Sequence, residues 1–387
     1  MQGKKPRRKG MQRKVIYLDH AATTPLCKEA LDKMTPYFCD CFGNADSPHG
    51  IGRKAMIAVD AARDEIAALI GASPKEIYFT SGGTEADNWA LVGGALAQKG
   101  KRVIISAIEH HAVLAAADKL RDMGVKVDVL PVNDRGRVEL SALEEALDTD
   151  VGLVCVMSAN NETGVIQPIE EIASLCKERG CLFFTDAVQA MPYLNIDVKA
   201  LGVDMLSFSA HKFYGPKGIG ALYIKSGVKI EKFVCGGEQE RGMRGGTVNV
   251  PAVVGFATAL KKTVAERAER ATHLTKLRAA FLRQLEGLDG VSVNGEEGLP
   301  AVLNLRFEGV ENDTLLYAMD LEGIAMAAGS ACASASVKPS HVLTAMGLSE
   351  KQARGSVRIS FGKDNTEEDV IFAAKALRAQ VEKQRKM

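Results

Sequence analysis

No apolar run in this sequence approaches the roughly 18 residues needed to span a bilayer, so no membrane-crossing helix is expected. The first stretch, MQGKKPRRKGMQRK, lacks the apolar segment of a secretory leader. Regular cysteine spacing is missing as well. The eight cysteines fall at 27, 39, 41, 155, 176, 181, 235 and 332, with no disulfide-scaffold pattern, which points to a reducing cytoplasm. Cys39 and Cys41 form a C-x-C rather than the paired C-x-x-C of a zinc site, and no metal is expected. Cys155 and Cys181 lie in apolar, strand-like runs, where cysteine acts as a small hydrophobe. There is no P-loop and no G-x-G-x-x-G after a strand, which weighs against a nucleotide-binding module.

What is present is the composition of an ordinary globular chain: 46% hydrophobic and 25% charged residues. At 387 residues the chain exceeds the roughly 250–300 at which single cores stop growing, so two domains are expected. The net charge of +1 hides an asymmetry. Residues 1–14 carry seven Lys/Arg and no acid, leaving 42 basic against 48 acidic residues in the rest. A mildly acidic body argues against a broad nucleic-acid footprint, and the basic arm is expected to be solvated.

From about residue 75 to 225, short apolar runs alternate with helical patterns. The runs are EIYFT, KRVIIS, KVDVLPV, GLVCVMS, CLFFTDA, MLSFS and GALYIK, with helix candidates such as TEADNWALVGGALAQ, SALEEAL and PIEEIASLCKERG between several of them. This alternation predicts an α/β fold with a mainly parallel sheet flanked by helices, and ligands beyond the carboxyl ends of the strands. A long helical region follows residue 250, and then a smaller α+β pattern whose last helix opens with a T-E-E-D capping signal at Thr366. The expected organisation is a basic arm over 1–14, a large domain over 15–255 and a small C-terminal domain over 256–387.

The chemistry-bearing residues stand at strand ends. SGGTEADN, 81–88, sits between a strand and a helix, where glycines and free N–H groups suit an anion. Asp186 ends the buried-looking strand FFTD, where an acid needs a partner. Lys212 follows MLSFS directly, beside His211 and a Gly-rich turn, and a solvated surface lysine explains it poorly. An anion cradle, a strand-end acid and a strand-end lysine together suggest pyridoxal 5'-phosphate, with the lysine as Schiff-base partner and the acid on the pyridine nitrogen.

The sequence resembles a known family at these residues. SGGTEADN, EHHAVL, NNETGVIQP, TDAVQ, SFSAHKFYGPKGIGAL, ERGMRGGT and GSACAS are similar, in order across residues 15–365, to signatures of cysteine desulfurases of the iron–sulfur-cluster and nitrogenase-maturation type. These belong to the class V aminotransferase-like enzymes of pyridoxal-phosphate fold type I. The resemblance implies conversion of L-cysteine to L-alanine, with the sulfur passed to an enzyme cysteine as a persulfide.

The same resemblance assigns roles. Lys212, Cys332 and His110 would be catalytic, His110 stacking on the cofactor ring and assisting proton transfer, and His111 is read as structural. Gly83, Thr84, Ser209 and His211 would bind the phosphate, with Thr247 reaching in from the second subunit of a homodimer. Asp186 would pair with the pyridine nitrogen, Gln189 would bond the ring oxygen, and Asn161 would contact the cofactor. Asn161 and Arg358 would hold the substrate carboxylate, a task that suits the planar guanidinium fork. Asn44 and His49 lie in a segment where Ala45 and Asp46 depart from the family's usual Pro and Ser, and neither is assigned a role.

Cys332 lies in AMAAGSACASA, small residues that favour a mobile loop able to carry a persulfide outward. A free thiol has a pKa of about 8.5, so an activator is needed, and none is visible in the sequence. A selenocysteine lyase or another class V aminotransferase-like enzyme stays open as the alternative, although an aminotransferase would not need Cys332. A non-catalytic scaffold would be expected to lack Lys212, Asp186 or Cys332, and all three are present. The sulfur acceptor is expected to be an iron–sulfur scaffold protein or a tRNA-thiolation enzyme, with no membrane and no direct nucleic-acid partner.

Overall fold

The computed structural model describes residues 15–98, 101–295, 298–329 and 339–386. The seven apolar runs form one seven-stranded sheet. In chain order its strands are β1 (Ile77–Thr80), β2 (Arg102–Ser106), β3 (Val127–Leu130), β4 (Val151–Cys155), β5 (Leu182–Asp186), β6 (Met205–Ser209) and β7 (Gly220–Ile224). Their spatial order is β1-β7-β6-β5-β4-β2-β3, with β7 antiparallel to both neighbours and the remaining pairs parallel.

The strands inside the sheet read as continuous apolar runs because both faces are covered, whereas the edge strand β3, VDVL, carries an acid and is only partly buried. Successive side chains point to opposite faces. Val103 and Ile105 therefore pack with Val113, Ala117 and Leu120 of the helix His111–Asp122. Ile104 joins the other layer with Ile172 and Cys176 of the helix Ile169–Arg179. That second helix ends at Gly180, whose φ of 72° is the left-handed conformation a helix stop favours, with Lys177 and Arg179 in the last turn facing the negative end of the helix dipole. Cys155 and Cys181 are buried, in keeping with a hydrophobe's role.

The expected helix after SGG is interrupted. Gly83–Asn88 and Gly94–Ala97 are α-helical, but Trp89–Gly93 between them makes a π-helical turn. Sequence periodicity does not register this, because the cause is tertiary: Trp89 Nε1 donates to the Glu231 carbonyl at 2.9 Å, and a Cβ on Gly93 would stand 2.5 Å from the same oxygen.

A second, antiparallel sheet joins β8 (Val291–Val293), β9 (Val302–Phe307) and β10 (Ser356–Ser360), with β9 in the centre. Thr366 and Asp369 form the capping box anticipated for the last helix, Glu367–Gln384. The long helix Val250–Arg283 runs unbroken through position 255. Lys261 meets Glu65 of the helix Gly50–Leu69, and His273 further on bonds to the carbonyl of Asn365.

The chain's first described residues form a separate two-stranded sheet and a single bridge to β10. Ile16–Tyr17 pairs in parallel with Ile324–Ala325, and Asp19 bridges to Ser360. This crossing carries Ala21 and Ala22 to the carboxyl ends of β5 and β6, which matters for the site. Near β1, Arg63 and Glu240 form a buried two-pronged ion pair at 2.8 Å, and Glu240 also accepts from the Phe79 N–H at 3.0 Å. It ties the ERGMRGGT segment to the sheet. Among the described residues no helix is long and apolar enough to cross a membrane.

Candidate active site

A cavity of about 200 Å³ opens beyond the carboxyl ends of the sheet strands. Gly83 and Thr84 line it from the turn after β1, His110 from the turn after β2, and Met157 and Asn161 from the segment after β4. Asp186, Val188 and Gln189 come from the end of β5, and Ser209, His211 and Lys212 from the end of β6. Ala21, Ala22 and Arg358 close it from the second sheet's side. Thus ten of the predicted residues, scattered over 275 positions from Gly83 to Arg358, share one wall.

Lys212 ends the short 3-10 turn Ala210–Lys212. Its ammonium donates to the carbonyls of Ala21, at 2.5 Å, and Ala22, at 2.9 Å. Gln189 Nε2 donates to the same Ala21 carbonyl at 2.9 Å. These two carbonyls, which the sequence gives no sign of, hold the amine at the cavity wall. Asp87, Met157 and Val188 were also missed. Asp87 sits in the motif SGGTEADN, and its carboxylate accepts from Ser207 Oγ at 2.5 Å.

Asp186 is fully enclosed, and one of its oxygens accepts from the Val188 N–H at 2.8 Å. Burial pushes its carboxyl up to about 6, against the opposing pull of that N–H and of the Lys212 charge. A cationic ring nitrogen facing it would favour the ionised form. His110 is pushed down to about 4, by burial first and the Lys212 charge second. Its Nδ1 accepts from the Ala112 N–H at 3.2 Å as the cap of the helix His111–Asp122. A neutral ring that accepts at Nδ1 carries its proton on Nε2. His111 instead lies against the ring of His341, centroids 4.8 Å apart.

The cradle fits a bulky anion. A Cβ on Gly83 would stand 3.0 Å from Val188 Cγ2, a tighter contact than side chains ordinarily make. Gly220 on β7 packs bare against the Gly82 backbone, where a Cβ would come within 2.7 Å, and this close approach draws the turn onto the sheet. Ser209 and His211 flank the first N–H groups of the helix, where the dipole favours negative charge. His211 is neutral, pushed down to about 4 by burial and by Lys212, and its Nδ1 bonds Thr23 Oγ1 at 3.1 Å.

Arg358, on β10, is 1% exposed. Its Nη1 donates to the Asn161 carbonyl at 3.0 Å and its Nη2 to Asp19 Oδ1 at 2.6 Å, while its buried Nε has no partner among the described residues. An uncompensated buried N–H at a cavity wall suits a small carboxylate ligand. Asp19, unmarked in the sequence, fixes the fork's orientation. Taken together, amine, buried acid, anion cradle and orphaned guanidinium N–H fit a phosphorylated pyridine aldehyde beside an amino acid. Two predicted residues stand apart. Thr247 is exposed, away from this cavity, and Cys332 lies outside the described residues.

Behind the cavity, Glu109 accepts from Ser106 Oγ at 2.5 Å and from the Met157 N–H at 2.8 Å. Burial pushes its carboxyl up to about 8. A folded-state pKa above the unfolded value means stability that is full below pH 4.5 and is lost as pH rises through 8. Glu109→Gln, which keeps an acceptor without the charge, is therefore expected to gain in Tm over the wild type as pH rises from 5 to 9. Thermal melts at four or five pH values check this; a constant difference between the two proteins would contradict it.

Residues 16–371 match the family described as "Aminotransferase class-V". A Clostridium botulinum protein named cysteine desulfurase IscS is 45% identical over 381 residues, 97% of this chain and 96% of its own. One of the same name from Methanosarcina thermophila is 45% identical over 380 residues, 97% and 94% of the two chains. Among solved structures, a "NifS-like protein" superposes with a TM-score of 0.89 at 39% identity, covering 95% of this chain and 99% of that one. "SspA in complex with cysteine" superposes at 0.81 with 36% identity over 89% and 98%. With identity of this size over nearly the whole of both chains, and a cavity built to suit the cofactor, the protein belongs to the class-V aminotransferase family, among its pyridoxal-phosphate-dependent cysteine desulfurases.

Proposed function

We propose that the chain works as a homodimer that takes sulfur from L-cysteine onto Cys332 and hands it to an acceptor protein. The observation that carries this reading is the convergence of Lys212, Asp186 and the Gly83–Thr84 cradle on one cavity beyond the strand ends. Lys212 would hold the cofactor through Nζ, Asp186 would face its ring nitrogen, and Gln189 would bond its ring oxygen. Gly83, Thr84, Ser209 and His211 would hold the phosphate together with Thr247 of the partner subunit, which the exposure of this segment permits. When bound, pyridoxal phosphate accepts electron density from the substrate's α-carbon and returns it later.

The chain's own groups do the rest. Arg358 and Asn161 orient the substrate carboxylate. Lys212 Nζ, once free, would move the α-proton, and the two carbonyls at Ala21 and Ala22 would give it a resting place. His110 would stack on the cofactor ring and assist proton transfer, its neutral imidazole carrying the proton on Nε2. The Cys332 thiolate attacks the substrate sulfur, so an S–S bond forms as the C–S bond breaks. The carbon fragment keeps the electron pair, takes up a proton and leaves as alanine. The small domain, 256–387, would carry the thiol toward its acceptor, an iron–sulfur scaffold or a tRNA-thiolation enzyme in the cytoplasm. Incubation of the purified holoenzyme with L-cysteine and a dithiol reductant is expected to yield alanine and sulfide in equal amounts. Pyruvate in place of alanine would overturn the reading.

A further inference from the structure

The motif NNETG draws attention to Asn161, yet its next residue makes more contacts with the thiol-bearing part of the chain. Glu162 is 1% exposed. Its N–H donates to Asn160 Oδ1 at 2.9 Å, and its carbonyl accepts from Asn304 Nδ2 at 3.1 Å. Asn160 Oδ1 also accepts from the Thr163 N–H, and Asn160 Nδ2 donates to the Ile108 carbonyl at 3.0 Å. The turn is thus fixed from both sides, and the carboxylate has a fixed base.

That carboxylate meets Gly329, directly before the stretch 330–338, and Ser340, two positions after it. Ser340 Oγ donates to Glu162 Oε2 at 2.5 Å. Gly329 packs directly against the same group, where an added methyl would stand 3.0 Å from Oε2 and 3.4 Å from Oε1. Further bonds hold the same two ends to the cavity wall. Ala327 and Arg358 exchange backbone hydrogen bonds at 3.2 and 2.6 Å, and His341 Nε2 donates to the Glu109 carbonyl at 2.9 Å. Arg358 lines the cavity, and so does His110, the residue after Glu109.

One buried acid therefore touches the chain where it leaves for Cys332 and where it returns. A purely stabilising role would not require contact with both ends, and burying an acid is costly unless its partners matter. We infer that Glu162 is a positioning residue for sulfur transfer: by holding Gly329 and Ser340 at one point, it sets where the Cys332 thiol reaches relative to the bound substrate. The inference rests on the proposed role of Cys332.

The test compares holoenzyme carrying Glu162→Ala, Glu162→Gln or Ser340→Ala with the wild type. Three quantities are read: the visible absorption of the bound cofactor and its change on adding L-cysteine, the single-turnover rate of Cys332 persulfide formation without reductant, and the rate of Cys332 alkylation by iodoacetamide. Glu162→Ala and Ser340→Ala are expected to keep the absorption and its response to L-cysteine. They should slow persulfide formation roughly tenfold, the order carried by one hydrogen bond to a charged group, and should speed alkylation. Glu162→Gln, which keeps an acceptor for Ser340, should recover part of the rate. Unchanged persulfide and alkylation rates in Ser340→Ala and Glu162→Ala would overturn the inference, as would a slowing that only tracks lost cofactor. Sulfur transfer persisting in Cys332→Ala would instead contradict the role of Cys332 itself, so the two failures are distinguishable.

Discussion

Lys212→Ala is expected to purify without the visible absorption of the bound cofactor and to lose at least about 10³-fold of its alanine production. Positioned proton transfer alone contributes roughly 10²–10⁴-fold, and this substitution also removes the covalent attachment. The fold should survive. The Lys212 side chain reaches the carbonyls of Ala21 and Ala22 at the wall of an open cavity, where water can replace the ammonium. A melting temperature within a few degrees of the wild type would separate chemistry from folding. Lys212→Arg is the sharper control: it keeps a cation near those carbonyls but cannot make the attachment, and it should be as inactive as alanine. Retained absorption and turnover in either variant would contradict the assignment.

Cys332→Ala is expected to leave the cofactor's absorption and its response to L-cysteine intact while sulfide release falls to background, again at least about 10³-fold, as for removal of a covalent nucleophile. The two variants fail in opposite ways. Loss of Lys212 removes the spectrum and the reaction together, whereas loss of Cys332 spares everything up to the departure of sulfur. That split follows from the separation in the chain: Lys212 belongs to the turn after β6, while Cys332 is carried between residues anchored on Glu162.

Much of the fold was legible in the sequence because inner strands buried on both faces are unbroken apolar runs, and all seven runs, the partly buried edge strand β3 included, became strands of one sheet. Strand-end placement made Asp186 and Lys212 legible for the same reason. What was not legible depends on contacts remote in sequence. The π-helical turn at Trp89–Gly93 answers to the Glu231 carbonyl, about 140 positions away. The carbonyls of Ala21 and Ala22 reach the site only because the chain's first described strand pairs with Ile324–Ala325. Arg358 looked like any strand arginine without the family resemblance, since nothing in VRISFG announces that Asn161 and Asp19 enclose it. Glu162 was passed over because a buried acid in a turn has no sequence signature apart from its partners.

The central claim is that sulfur leaves L-cysteine as a covalent passenger on Cys332. Intact-mass and peptide-mass measurement of the holoenzyme after one equivalent of L-cysteine, with no reductant present, tests it most directly. The account predicts a mass gain of one sulfur atom, alkylatable and lost on reduction, on the peptide carrying Cys332. One alanine should be released per persulfide formed. A full turnover of alanine with the Cys332 peptide unmodified, or with the added sulfur on another of the eight cysteines, would contradict it.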